Sequence, residues 1–213
     1  MLLACRYGPR GDTKGAVEYS ASGSLLCDVR YAPFSKPARV ERTPAQTAAE
    51  RSTAAAIVSA VSPAVLLDRY PKAVIEVHVL ILLSDGADLS TCIIAAALAV
   101  ANAGIEMVDL PASVTLVGKA DSGATGAPAV RMLVDPTSAE EAAATFKSVL
   151  AYMPVTAGLS YSEHAGSVSD AVLLTAVQTG MQACIPVYTE MRNALVAAER
   201  RRTRAAHKAA ASS

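Results

Sequence analysis

Between residues 74 and 83 the chain alternates strictly: Ile75, Val77, Val79, Ile81 and Leu83 fall on one face, and Val74, Glu76, His78, Leu80 and Leu82 on the other. A period of two is that of a β-strand, whose successive side chains point to opposite sides. One face is wholly apolar and the other nearly so, which predicts a central strand. Ser84-Asp85-Gly86 supplies a turn after it. From about Asp88 to Asn102 the chain is Ala-rich and apolar on almost every side, the pattern of a buried helix, until Gly104 provides a C-terminal cap. Shorter strand-like runs occupy residues 2–7 and 24–30, around a polar, glycine-containing connection that opens Gly8-Pro9-Arg10-Gly11. They read as two antiparallel strands.

Thr43-Pro44-Ala45-Gln46 has the form of a helix start, with an N-cap Thr, Pro at the first helical position and Gln where a capping box wants it. The Ala-rich run that follows reaches about Leu67, with Pro63 kinking it or ending it early. Residues 112–118 and 130–135 are strand-like, and 119–129 form the tip of a hairpin. After Asp135 two readings compete. Ser138-Ala139-Glu140-Glu141 resembles a capping box, whereas 145–152 and 155–161 suit two strands around Met153-Pro154. A long helix runs from Ser169 toward Arg204, with Gly180 and Pro186 as weak points. Strands, helix, strand, helix, strands, helix is not the regular βαβα alternation of a doubly wound sheet.

Composition narrows the class. Of 213 residues, 52% are hydrophobic and 18% charged, which predicts one ordered globular domain over 1–213 with apolar surface to spare for an interface. No membrane span is expected: residues 74–83 carry Glu76 and His78, and 92–104 fall well short of the ~20 residues a bilayer needs. Arg6, Pro9 and Arg10 break up any secretory leader. Cys5, Cys27, Cys92 and Cys184 form no CxxC pair, so a zinc or redox site is not expected, and a reducing compartment is. Lys+Arg and Asp+Glu both number 19, unlike a protein that coats nucleic acid, yet Arg192, Arg200, Arg201, Arg202, Arg204 and Lys208 crowd the tail. Residues 200–213 read as a basic, frayed helix end. Glu140 and Glu141 read as solvated loop charges and His78 as a packed histidine; His164 and His207 are given no role. No Gly-x-Ser-x-Gly, P-loop or dinucleotide fingerprint occurs.

Several segments, taken in order, carry a resemblance. They are Tyr7-Gly8-Pro9-Arg10, Cys27-Asp28-Val29-Arg30-Tyr31-Ala32-Pro33-Phe34, Asp68-Arg69-Tyr70-Pro71, Ser84-Asp85-Gly86, Ala103-Gly104-Ile105 and Asp135-Pro136-Thr137-Ser138. Together they resemble the RNase PH family across nearly the whole chain. The resemblance implies an α/β (α+β) fold, RNase PH-like, of the two-layer type seen in ribosomal protein S5 domain 2. It also favours strands after Asp135. Members usually carry another hairpin before the Gly-Pro-Arg segment, whereas this chain starts inside that strand. What it further implies is a ring subunit of the eukaryotic RNA exosome. The expected partners are other RNase PH-like subunits in a six-membered ring, S1/KH-type caps, an associated hydrolytic nuclease and single-stranded RNA, in nucleus, nucleolus and cytoplasm.

Phosphorolysis in this family needs cationic donors for inorganic phosphate and a carboxylate beside the scissile bond, since charge on phosphoryl oxygens must be stabilised where it develops. Active members follow the Asp-Gly turn with Gly-Thr-Arg or a similar loop, but here it reads Ala87-Asp88-Leu89-Ser90, and Asp88 looks suited to an N-cap. The Arg usually found before the Glu of the first long helix is replaced by Thr47, Ala48 and Ala49 ahead of Glu50. Beyond Glu140-Glu141, where a catalytic Asp would stand, come Ala142, Ala143, Ala144 and Thr145. The expectation is therefore no catalytic residue, no metal and no cofactor. RNA contact is expected from the loop after Phe34, through Lys36, Arg39 and Arg42, with Pro37 limiting its flexibility; the matching loop of similar ring subunits faces the channel entrance, where cations meet phosphates without reading sequence. The alternatives are a phosphorolytic 3′-to-5′ exoribonuclease whose site a ring partner completes, and a free-standing homologue.

Overall fold

The computed structural model describes residues 2–11, 22–41, 43–120 and 130–210. Its first sheet holds β1 (Leu2–Gly11), β2 (Ser24–Tyr31) and β3 (Ala73–Ile81) in the order β1-β3-β2. The alternating run is indeed central: Ile75, Val77, Val79 and Ile81 are buried on its inner face, and both of its edges are paired. Leu83 lies beyond the strand end and is exposed. β1 and β2 do run in opposite directions, but they do not pair with each other as the sequence suggested. β3, the most apolar of the three, takes the middle, antiparallel to β1 and parallel to β2. A parallel pair needs a crossover, which α1 (Pro44–Val61) provides.

Thr43 caps α1 as predicted, its hydroxyl accepting from the Gln46 amide at 3.2 Å. The reciprocal half of the box is not made, because the Gln46 side chain turns to Glu50 instead. The helix ends at Val61, ahead of Leu67, where Pro63 enters a short 3-10 turn. α2 spans Asp88–Asn102, the limits its apolar pattern gave. Both helices lie on the inner face of the first sheet, where Ile57, Val61, Ile93 and Val100 interlock with β3.

The second sheet is antiparallel throughout, with β4 (Ala112–Ala120), β5 (Val130–Val134), β6 (Phe146–Met153) and β7 (Gly158–Gly166) in the order β5-β4-β6-β7. Helix and strands both occur after Asp135, in succession: α3 (Ser138–Ala142) starts on a capping box made by Thr137 and Glu140, one residue earlier than the Ser138–Glu141 box the sequence suggested, and two strands follow. The second begins at Gly158, later than residue 155, because Asp109 accepts from the Val155 and Thr156 amides and ties that segment into a turn. One face of this sheet meets the first helix pair, with Thr115 hydroxyl donating to Ser90 Oγ. The other carries α4 (Asp170–Ala210). A Cβ at Gly180 would lie 2.3 Å from Leu150 Cδ1 and 2.8 Å from Leu116 Cδ1, so α4 approaches the sheet there as closely as only glycine permits. By length and composition α4 is the one helix among the described residues that matches a membrane span. Ala176, Gly180, Cys184 and Met191 are nonetheless buried along one seam. The result is two stacked α/β layers, as the fold expectation had it.

Candidate functional site

The turn between β3 and α2 is where the resemblance to the RNase PH family implies that phosphate chemistry would take place. Gly86 has φ +104°, and a Cβ there would lie 2.5 Å from the Pro136 carbonyl oxygen, so the turn is pressed against the segment leading into α3. Asp85 fastens it: its carbonyl accepts from the Ser138 amide at 2.6 Å, and its carboxylate from the Ser138 hydroxyl at 3.0 Å. Ala87 is the N-cap of α2, buried and in the left-handed region at φ 53°, with no side chain able to cap. Its amide donates instead to Glu141 Oε1 at 2.8 Å, and the same oxygen accepts from Lys147 Nζ at 2.9 Å.

Two sequence expectations change here. Glu141 is not a solvated loop charge; adjacency to Glu140 hid a partner more than fifty residues away. Asp88 is not the N-cap but the first residue of α2, because Ala87 takes the cap position. Its Oδ2 accepts from Ser84 Oγ at 2.6 Å and from the Tyr31 hydroxyl at 3.1 Å, and a carboxylate in the first turn suits the helix dipole. Burial, then the Asp88 charge, pushes the Tyr31 phenol well above its ordinary value.

Beside this turn lies a cavity of about 300 Å³ whose charged lining among the described residues is Asp85, Asp88 and Asp135, with no Lys, Arg or His among them. Ala48 and Ala49 are exposed on α1 and offer no donor. Thr145, near where the resemblance implies a catalytic carboxylate, donates to the Gly118 carbonyl at 2.8 Å. Among the described residues no group of three or more His, Cys, Asp or Glu is arranged to hold a metal ion. His78 is not packed as expected: its side chain is 41% exposed and lies 3.7 Å from Glu76 in its own strand.

The second surface is the loop after β2. Ala32 amide donates to the Ile81 carbonyl, Ser35 amide to Ala32, Val40 amide to Pro33, and Ser84 amide to Ser35, all at 2.8–3.0 Å. The loop is thus stitched to the same turn that carries Asp85. Lys36 Nζ sits 5.1 Å from the centroid of the Tyr31 ring, whose hydroxyl reaches Asp88. Arg39 is exposed and makes no ion pair among the described residues; Arg42 lies outside them. Phe34, which lies in sequence between Pro33 and these cations and was not among the predicted contacts, is 71% exposed. Its signal was available: an aromatic past the end of a strand, beside a proline and off the alternating pattern. The basic tail is not frayed as far as it is described. α4 stays helical to Ala210, and Arg202 donates to the Asn102 carbonyl at the end of α2, at 3.1 Å.

Comparison with known proteins follows this geometry. Residues 1–106 match the 3′ exoribonuclease family, domain 1, or RNase PH. The chain is similar to the exosome complex component MTR3 of Homo sapiens, being 41% identical over 202 residues that span 93% of this chain and 70% of that protein. In three dimensions it resembles the crystal structure of Rrp46 from rice, Oryza sativa, with a TM-score of 0.71 and 22% identity over 91% of this chain and 83% of the other. It also resembles a chain of the Archaeoglobus fulgidus exosome with RNA bound to the active site, at a TM-score of 0.66 and 14% identity, covering 89% and 77% respectively. These structural likenesses speak to the fold.

Proposed function

The chain belongs to the RNase PH family of 3′ exoribonucleases, and from that premise we propose that it is a non-catalytic ring subunit of a eukaryotic RNA exosome. It would support 3′-to-5′ RNA processing and degradation by closing the ring and lining the RNA path, while an associated nuclease hydrolyses the RNA. The observation that carries this is Glu141. Its carboxylate rests on the Ala87 amide at the head of α2, the donor an incoming phosphate would need. The chain's own anion therefore fills the position, and Asp85, Asp88 and Asp135 line the space beside it. A transferring phosphoryl group requires cations at that point, and carboxylates at close range repel it.

Membership of a hetero-oligomer is supported by the likeness to an exosome component and by apolar side chains left exposed among the described residues. Leu26 and Leu80 are exposed on the outer face of the first sheet, and Val108 and Val155 flank the turn that Asp109 fixes. The partners proposed are other RNase PH-like subunits in a six-membered ring, S1/KH-type caps and the hydrolytic nuclease. Single-stranded RNA would run past Lys36, Arg39 and Arg42, and the complex would work in nucleus, nucleolus and cytoplasm. Native mass spectrometry of material recovered through a tag on the full chain tests this. A hetero-oligomer containing other RNase PH-like chains is expected; recovery as a free monomer or a ring of identical copies would contradict it.

A further inference from the structure

We infer that Phe34 is a base-stacking residue, which makes the loop after β2 a platform for a nucleobase of single-stranded RNA rather than a contact to phosphate alone. The inference rests on the proposed role of this loop in the RNA path. Phe34 is the most exposed large apolar side chain among those described, at 71%. Water does not favour such a surface, and nothing else in the described chain covers it.

Its exposure does not come from a loose loop. The neighbouring Ser35 is fully buried, and its carbonyl and amide both bond to fixed backbone, at Ser84 and Ala32. Pro33 precedes Phe34 and its carbonyl accepts from Val40, closing the loop, while Pro37 restricts the far side. A ring held out on a braced backbone can bind without a large loss of conformational freedom.

The surroundings choose the class of ligand. Lys36, Arg39 and Arg42 against Glu41 give residues 34–42 three positive charges and one negative, a net of +2, in a chain whose overall net charge is zero. Lys36 is already held over an aromatic ring at 5.1 Å, so its ammonium is fixed close to Phe34 in sequence. An exposed neutral ring in a cationic segment suits a polyanion that also presents flat apolar faces, and single-stranded RNA is such a polymer. A protein partner would need an apolar socket surrounded by negative charge; that case is an outcome of the test below.

The complex recovered through a tag on the full chain would be incubated with single-stranded RNA containing 5-iodouridine, irradiated, and its adducts mapped by mass spectrometry. The expected result is an adduct at Phe34. Phe34→Ala should lower crosslinking to this chain about tenfold, the scale of one lost stack, while Phe34→Tyr keeps it and both variants recover the same partners. Reversing Lys36 and Arg39 to Glu should reduce the yield most at low salt, as counterion release demands. Adducts elsewhere in residues 33–41 but none at Phe34 would overturn stacking and leave the RNA loop standing. No adduct anywhere in the loop would overturn the underlying role as well. Loss of ring partners in Phe34→Ala, with RNA crosslinking to the remaining complex unchanged, would make Phe34 a protein contact instead.

Discussion

Glu141 holds two donors on one oxygen, the Ala87 amide and the Lys147 ammonium. Glu141→Gln keeps the shape, removes the charge and weakens both bonds, so it should cost about 1–2 kcal/mol, seen as a fall of a few degrees in the thermal midpoint. An unchanged midpoint would show that the carboxylate is not what fastens the head of α2. The thiols make a separate prediction. Cys27, Cys92 and Cys184 are pushed from 9.0 to about 12, in each case chiefly by burial, and Asp28 adds to the effect at Cys27 and Asp88 at Cys92. The folded chain thus keeps protons that the unfolded chain releases. That contribution to stability is complete below pH 9 and is lost as pH rises toward 12. Iodoacetamide at pH 8 should leave all three unlabelled until the chain unfolds, and the thermal midpoint should fall between pH 9 and pH 12. Rapid native labelling of Cys92 or Cys184 would contradict the burial. The Glu141–Ala87 contact was not legible beforehand, because a carboxylate's partner across fifty residues leaves no local trace, whereas the Thr43 cap was, since its partner lies three residues on; the box that opens α3 was seen too, one residue late.

Elements were legible to the degree that their determinants are local. α2 could be bounded at Asp88 and Asn102 because its apolar residues face inward on nearly every side and Gly104, at φ +75°, ends it. The strand at residues 74–83 showed its inner face for the same reason, and only its end was overdrawn, since β3 stops at Ile81, ahead of Leu82 and Leu83. The neighbours of that strand were not legible: pairing β1 with β3 is a long-range choice that two short apolar runs cannot express. Gly180 is similar, a weak point by helix propensity that turns out to be a contact point. Gly180→Leu should overpack α4 against Leu116 and Leu150, which are both fully buried. A loss of about 1–3 kcal/mol is expected in chemical unfolding. A variant as stable as the parent would mean that α4 does not seat on the second sheet there.

For the whole molecule, a balanced overall charge concealed an uneven surface. Basic residues gather in the loop after β2 and along the end of α4, while carboxylates gather at the turn after β3. Lys36 and Arg39 could be chosen from charge alone, and the structure adds that their loop is bonded to the Asp85 turn through Ser35 and Ser84. The side chains at the phosphate loops, Ala48, Ala49, Asp88 and Leu89, can be read directly in the sequence; the bond from the Ala87 amide to Glu141 cannot. The most direct measurement supplies the assembled complex with inorganic phosphate, Mg²⁺ and single-stranded RNA and quantifies nucleoside diphosphates. With carboxylates lining the cavity among the described residues and no carboxylate at position 145, no diphosphate release should depend on this chain, and Leu89→Arg alone should create none, since residues that act as a unit fail together. Robust release that Asp85→Asn or Asp135→Asn abolishes, with the complex still intact, would contradict the account and establish a phosphorolytic site completed by a ring partner.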